Sequence, residues 1–291
     1  MTFSLVAFCP WNAAGNAQGL IFISDCRLTG ENLATGERKV ISDSEPKIFE
    51  LGPFAVGSYA GNQVSAGFAM RRVSRLFRKP KRQLNYKTMF GRIAKAMYDG
   101  KRQARRFAAR QGQEFVGGSF IALFGYVDVD DRLNMGMMGA GEPSESFWFG
   151  GIGIYDDVRA VVVGTGGQAG SMLQFTSNIE SLFRGTDLAV TLKEQELPVQ
   201  ASYLARSLAQ LLRENPPEGC GGGVQLVTLD SQHGAASWRL WSIREGGFAM
   251  CPEGKWAPDD WAPESSWVPE RPEHLATYRR RAFVGHLERP V

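Results

Sequence analysis

Two periodicities divide the chain. Up to residue 61, apolar positions alternate with polar ones or run together in short stretches: residues 3–9, residues 19–24, and two runs either side of Gly52-Pro53, namely Ile48-Phe49 and Phe54-Ala55-Val56 continuing to Tyr59-Ala60-Gly61. Short runs bounded by Gly, Pro, Asn and Asp are the pattern of strands and turns. The reading is a strand from the first residues, a long loop through Pro10-Trp11-Asn12, a returning strand ending at Asp25, a polar loop over 31–45 and a hairpin within 44–61. From residue 62 to 113 the period lengthens to that of helices. Val64, Phe68, Val73, Leu76 and Phe77 mark one helix, Pro80 breaks it, and Met89, Ile93, Met97, Ala104 and Ala108 mark another. Strands resume at 119–127 and 132–138 around an acidic turn at 128–131, and a glycine-rich, aromatic stretch over 139–155 fits a further hairpin or a surface insertion. A strand at 160–163, a helix over 202–213 with Leu204, Leu208, Leu211 and Leu212 on one side, and strands at 224–230 and 236–244 complete the pattern.

This order, hairpins, two helices, hairpins, two helices and final strands, is satisfied by two sheets with a helix pair on each outer side. The expected fold is α+β, a four-layer αββα sandwich of two antiparallel sheets over residues 2–245. Beyond Met250 the composition shifts. Pro252, Pro258, Pro263, Pro269 and Pro272 alternate with Trp256, Trp261 and Trp267, too much proline for regular elements and too much tryptophan to be left in water. Residues 246–291 are therefore expected to form an extended arm laid over their own domain or a neighbouring subunit.

Composition narrows the chemistry. With 291 residues, 43% apolar and 22% charged, the chain has an ordinary globular balance and length enough for a sizeable core. No basic leader precedes the first apolar run, which stops at Pro10, and no window is long enough to span a bilayer, so a cytoplasmic protein is expected. Cys9, Cys26, Cys220 and Cys251 lack paired metal spacing and are expected as reduced thiols, and His233, His274 and His286 form no HExxH motif. The turn at 128–131 lacks the ligand spacing of a calcium loop. Neither a metal nor a cofactor is expected. Gly164, Gly166 and Ala169 approximate a GxGxxG/A fingerprint with Asp187 beyond it, but no alternating βαβ series surrounds them, and the dinucleotide reading is not adopted.

The net charge of +3 conceals an asymmetry, since residues 71–110 carry fifteen Lys and Arg against the single acid Asp99. Such a segment is also compatible with a nucleic-acid face, but aromatics are not interleaved as a single-strand binder needs. A solvated face or a docking surface for an acidic partner is the reading retained.

A lysine at the edge of a hairpin is ordinarily a solvated charge; for Lys47 the context differs. Thr2 follows Met1, Asp25 ends the second strand in the run Asp25-Cys26-Arg27-Leu28-Thr29, Lys47 opens the hairpin, and Ala60-Gly61 closes it. In this arrangement the sequence, over roughly residues 2–245, resembles the proteasome β-subunit family of N-terminal nucleophile hydrolases, including the bacterial relatives HslV and Anbu. That family has a threonine nucleophile at its mature N-terminus, a D-x-R-x-T run, a lysine at the next hairpin and an A-G pair that here falls on Ala60-Gly61 without a gap.

The resemblance implies a role for each residue. A threonine hydroxyl needs a base and a free α-amine titrates near neutrality, so Thr2, once Met1 is removed, would carry nucleophile and base together. Lys47 would hold positive charge beside them, Asp25 would orient Lys47, and the Gly61 N–H would stabilise the oxyanion, with no side chain to block close approach. Supporting positions are Thr165, within Gly164-Thr165-Gly166, and Cys220, within Pro217-Glu218-Gly219-Cys220-Gly221-Gly222. There the sequence departs from the family's D-x-x-S-G-G: Pro217 replaces the aspartate and Cys220 the serine, leaving Glu218 or Glu214 as candidate carboxylates. Cys220 itself reads as a small buried residue of a tight turn, not a nucleophile. The substrate-binding residues implied are Arg27, Leu28, Thr29, Glu45, Phe49, Tyr59 and Gln63, with Thr29 and Gly61 bonding an extended peptide as an added strand. Tyr59 suggests a shallow pocket, and Glu45 leaves a basic preference open.

The expected function is a threonine-type peptidase of a self-compartmentalising ring or spiral, cleaving amides through an acyl-enzyme on Thr2. The alternatives are a catalytically silent ring scaffold and a small-molecule amidase of the same chemistry. Expected partners are a peptide or unfolded-protein substrate, further copies of the chain, and an ATPase, unfoldase or other docking partner on the basic face 71–110, with no nucleic acid or membrane.

Overall fold

The computed structural model describes residues 2–9, 19–31, 35, 37–42, 45–78, 86–112, 118–140, 147–153, 159–165, 219–221, 224–231, 234–242 and 248–252, with nine further helical positions between 174 and 208. The chain is mixed α and β, with its strands in antiparallel sheets.

The run of alternating apolar residues at the start forms β1 (Thr2–Cys9), and Gly19–Asp25 returns as β2. A short hairpin follows, β3 (Leu28–Glu31) and β4 (Arg38–Ser42). The turn at Pro53 then joins β5 (Ile48–Gly52) to β6 (Ala55–Gly61). Two helices follow, α1 (Gln63–Phe77) and α2 (Tyr86–Arg110), and then β7 (Phe120–Val127), β8 (Leu133–Gly139), β9 (Phe147–Gly153) and β10 (Arg159–Thr165). The last described strands are β11 (Val224–Asp230), β12 (Gly234–Ser242) and β13 (Phe248–Pro252).

Among the described residues, seven strands pair in the order β13-β12-β11-β2-β1-β10-β9, four in the order β5-β6-β7-β8, and β3 pairs with β4. Period-two alternation gives each sheet two faces. Val6, Leu20, Phe22, Val227 and Leu229 of the larger sheet share one buried cluster with Ile48, Val56, Ala60, Ile121, Leu123 and Val127 of the smaller. The intervening residues Tyr59, Phe120, Ala122, Phe124 and Tyr126 turn to the other face of the smaller sheet, where α1 and α2 cover them with Ala66, Met70, Val73, Met89, Ile93 and Met97. Burial of such side chains is worth roughly 1.5–3 kcal/mol each before entropy is counted. Asn62 caps α1, its side chain accepting from the Ser65 N–H at 2.9 Å, which satisfies one of the helix's orphan donors. The helices approach closely at Gly100, where a Cβ would meet the Ala69 backbone. On the opposite face of β2, Gly19 lies against helical Leu197, and helical Ala201, Leu204, Ala205 and Leu208 are buried as well.

Two readings of the sequence are corrected. The polar loop expected over 31–45 contains β4, which pairs with β3. Val40 and Ile41, adjacent and both close to half exposed, show no one-sided burial, so the alternation that betrays a strand is missing. Of the two alternatives for 139–155, the described part, β9, fits the hairpin: it joins the larger sheet as the antiparallel neighbour of β10. Because β10 runs antiparallel between β1 and β9, it cannot open the parallel βαβ unit that dinucleotide binding requires. The sheet also continues to Pro252 through β13, past the expected boundary at 245; the rest of the arm lies outside the described residues.

Candidate active site

Asp25 ends β2 and is fully buried, a position that a carboxylate holds only when its lone pairs are met. They are met four times. Oδ1 accepts from the Lys47 ammonium at 2.8 Å and from the backbone N–H of Phe3 at 3.1 Å. Oδ2 accepts from the N–H groups of Arg27 and Gly221, each at 3.3 Å. Lys47 is buried to the same degree, with 1% of its side chain exposed. Desolvating both ions costs several kcal/mol each, and the pair persists because charge-assisted bonds surround it.

The Phe3 contact places this ion pair at the start of β1. Thr2 is the first strand residue, one peptide bond from the N–H that Asp25 binds, and its partner across the ladder is Thr165 of β10. Two hydroxyls hold the strand end in place: Ser24 donates to the Phe3 carbonyl at 2.7 Å, and Ser4 bonds Ser58 of β6 at 2.7 Å. Three residues beyond Ser58, Gly61 closes β6 with φ of 119°, in the region that favours glycine. A Cβ there would sit 2.6 Å from the Ser119 carbonyl oxygen, so only glycine fits.

Lys47 is aimed by a residue that the sequence reading did not single out. Gln225, in the middle of the larger sheet on β11, accepts through Oε1 from the N–H groups of both Lys47 and Ile48 at 2.9 Å and donates through Nε2 to the Ile48 carbonyl at 2.8 Å. The signal available was a lone amide in Val224-Gln225-Leu226-Val227, a run buried at every position.

Cys220 is buried against the same carboxylate, since its neighbour Gly221 donates to Asp25 and its own carbonyl accepts from the Arg27 guanidinium at 3.4 Å. Burial pushes the Cys220 thiol far above the ordinary range, and the negative Asp25 adds to this against smaller opposing effects of Lys47 and Arg27. A neutral thiol of this kind is a weak nucleophile. Gly221 has φ of 146°, and a Cβ on it would meet the Arg27 guanidinium at 2.9 Å, so Arg27 packs directly over this turn.

The remaining expected residues divide. Glu45 is buried, its N–H donating to the Cys26 carbonyl at 2.8 Å and its carboxylate accepting from Gln63 at the start of α1. Tyr59 is buried and stacks on Phe49 with ring centroids 5.9 Å apart. Leu28 and Thr29 are half-buried on β3, just beyond Arg27. The structure thus brings Asp25, Arg27, Lys47, Cys220 and the backbone next to Thr2 together around one carboxylate, and groups Glu45 with Gln63, and Phe49 with Tyr59, along the adjoining hairpin and helix start. Glu214, Pro217 and Glu218, and the side chains of Thr2 and Thr165, lie outside the described residues.

Among the described residues no cluster of His, Cys, Asp or Glu could hold a metal, and no helix is long and apolar enough to cross a membrane. No protein-family model matches the chain, and no curated protein matches its sequence. What the arrangement offers chemically is a buried ammonium, fixed by a carboxylate, at the end of a strand whose first residue is a threonine.

Proposed function

We propose that this chain is a threonine-type peptidase of the N-terminal nucleophile class, with the four-layer αββα arrangement of proteasome β-subunits. The observation that carries the reading is the double role of Asp25 Oδ1, which binds the Lys47 ammonium and the Phe3 N–H at once and so ties a buried cation to the residue next to Thr2. In this reading, removal of Met1 frees the Thr2 amine. The amine takes the proton of the Thr2 hydroxyl as the oxygen attacks an amide carbon. Lys47 keeps that amine from being protonated in the resting enzyme and favours the developing oxyanion, which the Gly61 N–H also meets. Collapse expels the amine half of the substrate, which takes that proton back from the Thr2 ammonium, and leaves an ester on Thr2, which water then cleaves to release the acid and restore the hydroxyl. The protein works on peptides or unfolded chains inside a ring or spiral of its own copies in the cytoplasm, with an ATPase or other docking partner on the basic helices.

A second reading, a silent ring scaffold, is favoured by one observation: the position of the family's supporting serine holds Cys220, whose thiol stays neutral and buried. Intact mass and turnover of fluorogenic peptides separate the two. The peptidase reading expects a chain lacking Met1 that releases fluorophore, with turnover abolished in Thr2→Ala. Retention of Met1 would leave the amine acylated and would rule out this mechanism, and a processed chain without turnover would favour the scaffold.

A further inference from the structure

A row of buried polar side chains crosses the space between the two sheets beside the candidate site. In the larger sheet, Ser24 of β2 stands directly opposite Ser4 of β1 on one side and Gln225 of β11 on the other, and residues directly opposite in an antiparallel ladder share a face. In the smaller sheet, Ile48 of β5 and Ser58 of β6 stand opposite each other. The two rows meet. Ser4 bonds Ser58 at 2.7 Å, and Gln225 holds the N–H groups of Lys47 and Ile48 and the Ile48 carbonyl. Between them Ser24 donates to the Phe3 carbonyl at 2.7 Å and to the Asp25 carbonyl at 3.2 Å. Ser4, Ser24 and Ser58 are fully buried, and Gln225 is nearly so. Two residues further along the same face the row becomes Val6, Phe22 and Val227, all within the apolar cluster between the sheets.

Stability does not account for the hydroxyls in that row. Replacing both members of a buried hydrogen-bonded pair by apolar groups of the same shape is close to neutral for a fold, and apolar contacts serve the very next row. A hydrogen bond, however, fixes distance and direction, where apolar contact constrains mainly volume. The bonds of this row act on three backbone points that the proposed chemistry uses. Thr2 lies two residues before Ser4 on β1, Lys47 is held by its own N–H, and Gly61 lies three residues beyond Ser58 on β6. We propose that Ser4 and Ser58 are positioning residues: their bond sets the start of β1 against the end of β6, and so sets Thr2 against the Gly61 N–H that meets the oxyanion. Gln225 does the same for Lys47 from the other end of the row. Neither hydroxyl is a catalytic residue. The inference rests on the peptidase reading and adds to it the part of the fold that keeps nucleophile and oxyanion donor in register.

The test compares wild type with Ser4→Ala, Ser58→Ala and the double variant as full chains, by fluorogenic-peptide kinetics, the rate of epoxyketone labelling and urea denaturation. Gln225 stays in place, because its loss strands three backbone groups. The double variant should keep its urea midpoint within about 0.5 M of wild type. Its kcat and labelling rate should fall about ten-fold or more, the cost of a misplaced reacting group, with KM unchanged within about two-fold. Each single variant should lose the same kcat as the double within about two-fold, since removing the second hydroxyl breaks nothing further. An unchanged kcat in the double variant, a loss confined to KM, or single losses that multiply in the double would each overturn the inference. A larger fall in midpoint would overturn it too, by making the pair a support of the fold. A wild type that neither turns over peptide nor takes up epoxyketone would instead remove the peptidase reading, and this inference with it.

Discussion

The ion pair of Asp25 and Lys47 and the surface of α2 hold charge under opposite conditions. The pair comprises two charges with at most 1% of either side chain exposed, and its carboxylate accepts from the backbone N–H groups of Phe3, Arg27 and Gly221. On α2, Arg92, Lys95, Arg102, Arg105, Arg106 and Arg110 are all exposed, their fields screened by solvent and salt. More charge sits on the helix, yet each such group is worth little to the fold, whereas loss of one buried partner strands the other in a medium that cannot solvate it. The number of charges in a segment therefore says little about where chemistry lies, and the difference can be measured.

The largest effect belongs to the pair. Lys47→Met leaves Asp25 buried without its cation and should lower unfolding free energy by about 3–5 kcal/mol, measured by urea denaturation. Adding Asp25→Leu should recover only part of this, because the N–H groups of Phe3, Arg27 and Gly221 then lack their acceptor. A Lys47→Met loss under about 1 kcal/mol would show that the two regions do not differ. Gln225→Leu comes next. It removes three hydrogen bonds and leaves the N–H groups of Lys47 and Ile48 and the Ile48 carbonyl without this partner, for about 2–4 kcal/mol. Gly61→Ala should cost about 1–3 kcal/mol through backbone strain and the clash with the Ser119 carbonyl, and the same denaturation series reads it. On the helix, Arg92→Ala should stay within about 0.5 kcal/mol of wild type.

A further effect depends on pH. The folded-state pKa of Cys220 is raised by burial, so as pH climbs through the ordinary thiol range the unfolded chain loses its proton first. The contribution of this group to stability is complete below that range and declines above it, by at most about 1.4 kcal/mol per pH unit. Denaturation of wild type and Cys220→Ala at pH 7 and above pH 9 should show the gap between them shifting in that direction, and a gap independent of pH would contradict the assignment.

Legibility in the sequence followed the same divide between buried and exposed. β1, β2, β5, β6, β7 and the two helices were readable because one face, or both, is buried and the apolar spacing records it. The β3–β4 hairpin was not, since Val40 and Ile41 are exposed on opposite faces and nothing in their spacing reflects the pairing. At the candidate site, Asp25 and Lys47 are 22 residues apart, with no local pattern joining them; only the family resemblance set them side by side. Gln225 escaped because its role depends on a contact 178 residues away, and a single polar residue within a buried strand records that something must satisfy it without saying what.

In the proposed mechanism Thr2 is the group made reactive by this buried pair. Mass spectrometry after incubation with a peptide epoxyketone tests that most directly. Wild type should gain one inhibitor mass on the peptide beginning at Thr2, Lys47→Met should label at least about a hundred-fold more slowly, and Thr2→Ala should not label. Equal labelling of Thr2→Ala, or an adduct placed on any other residue, would contradict it.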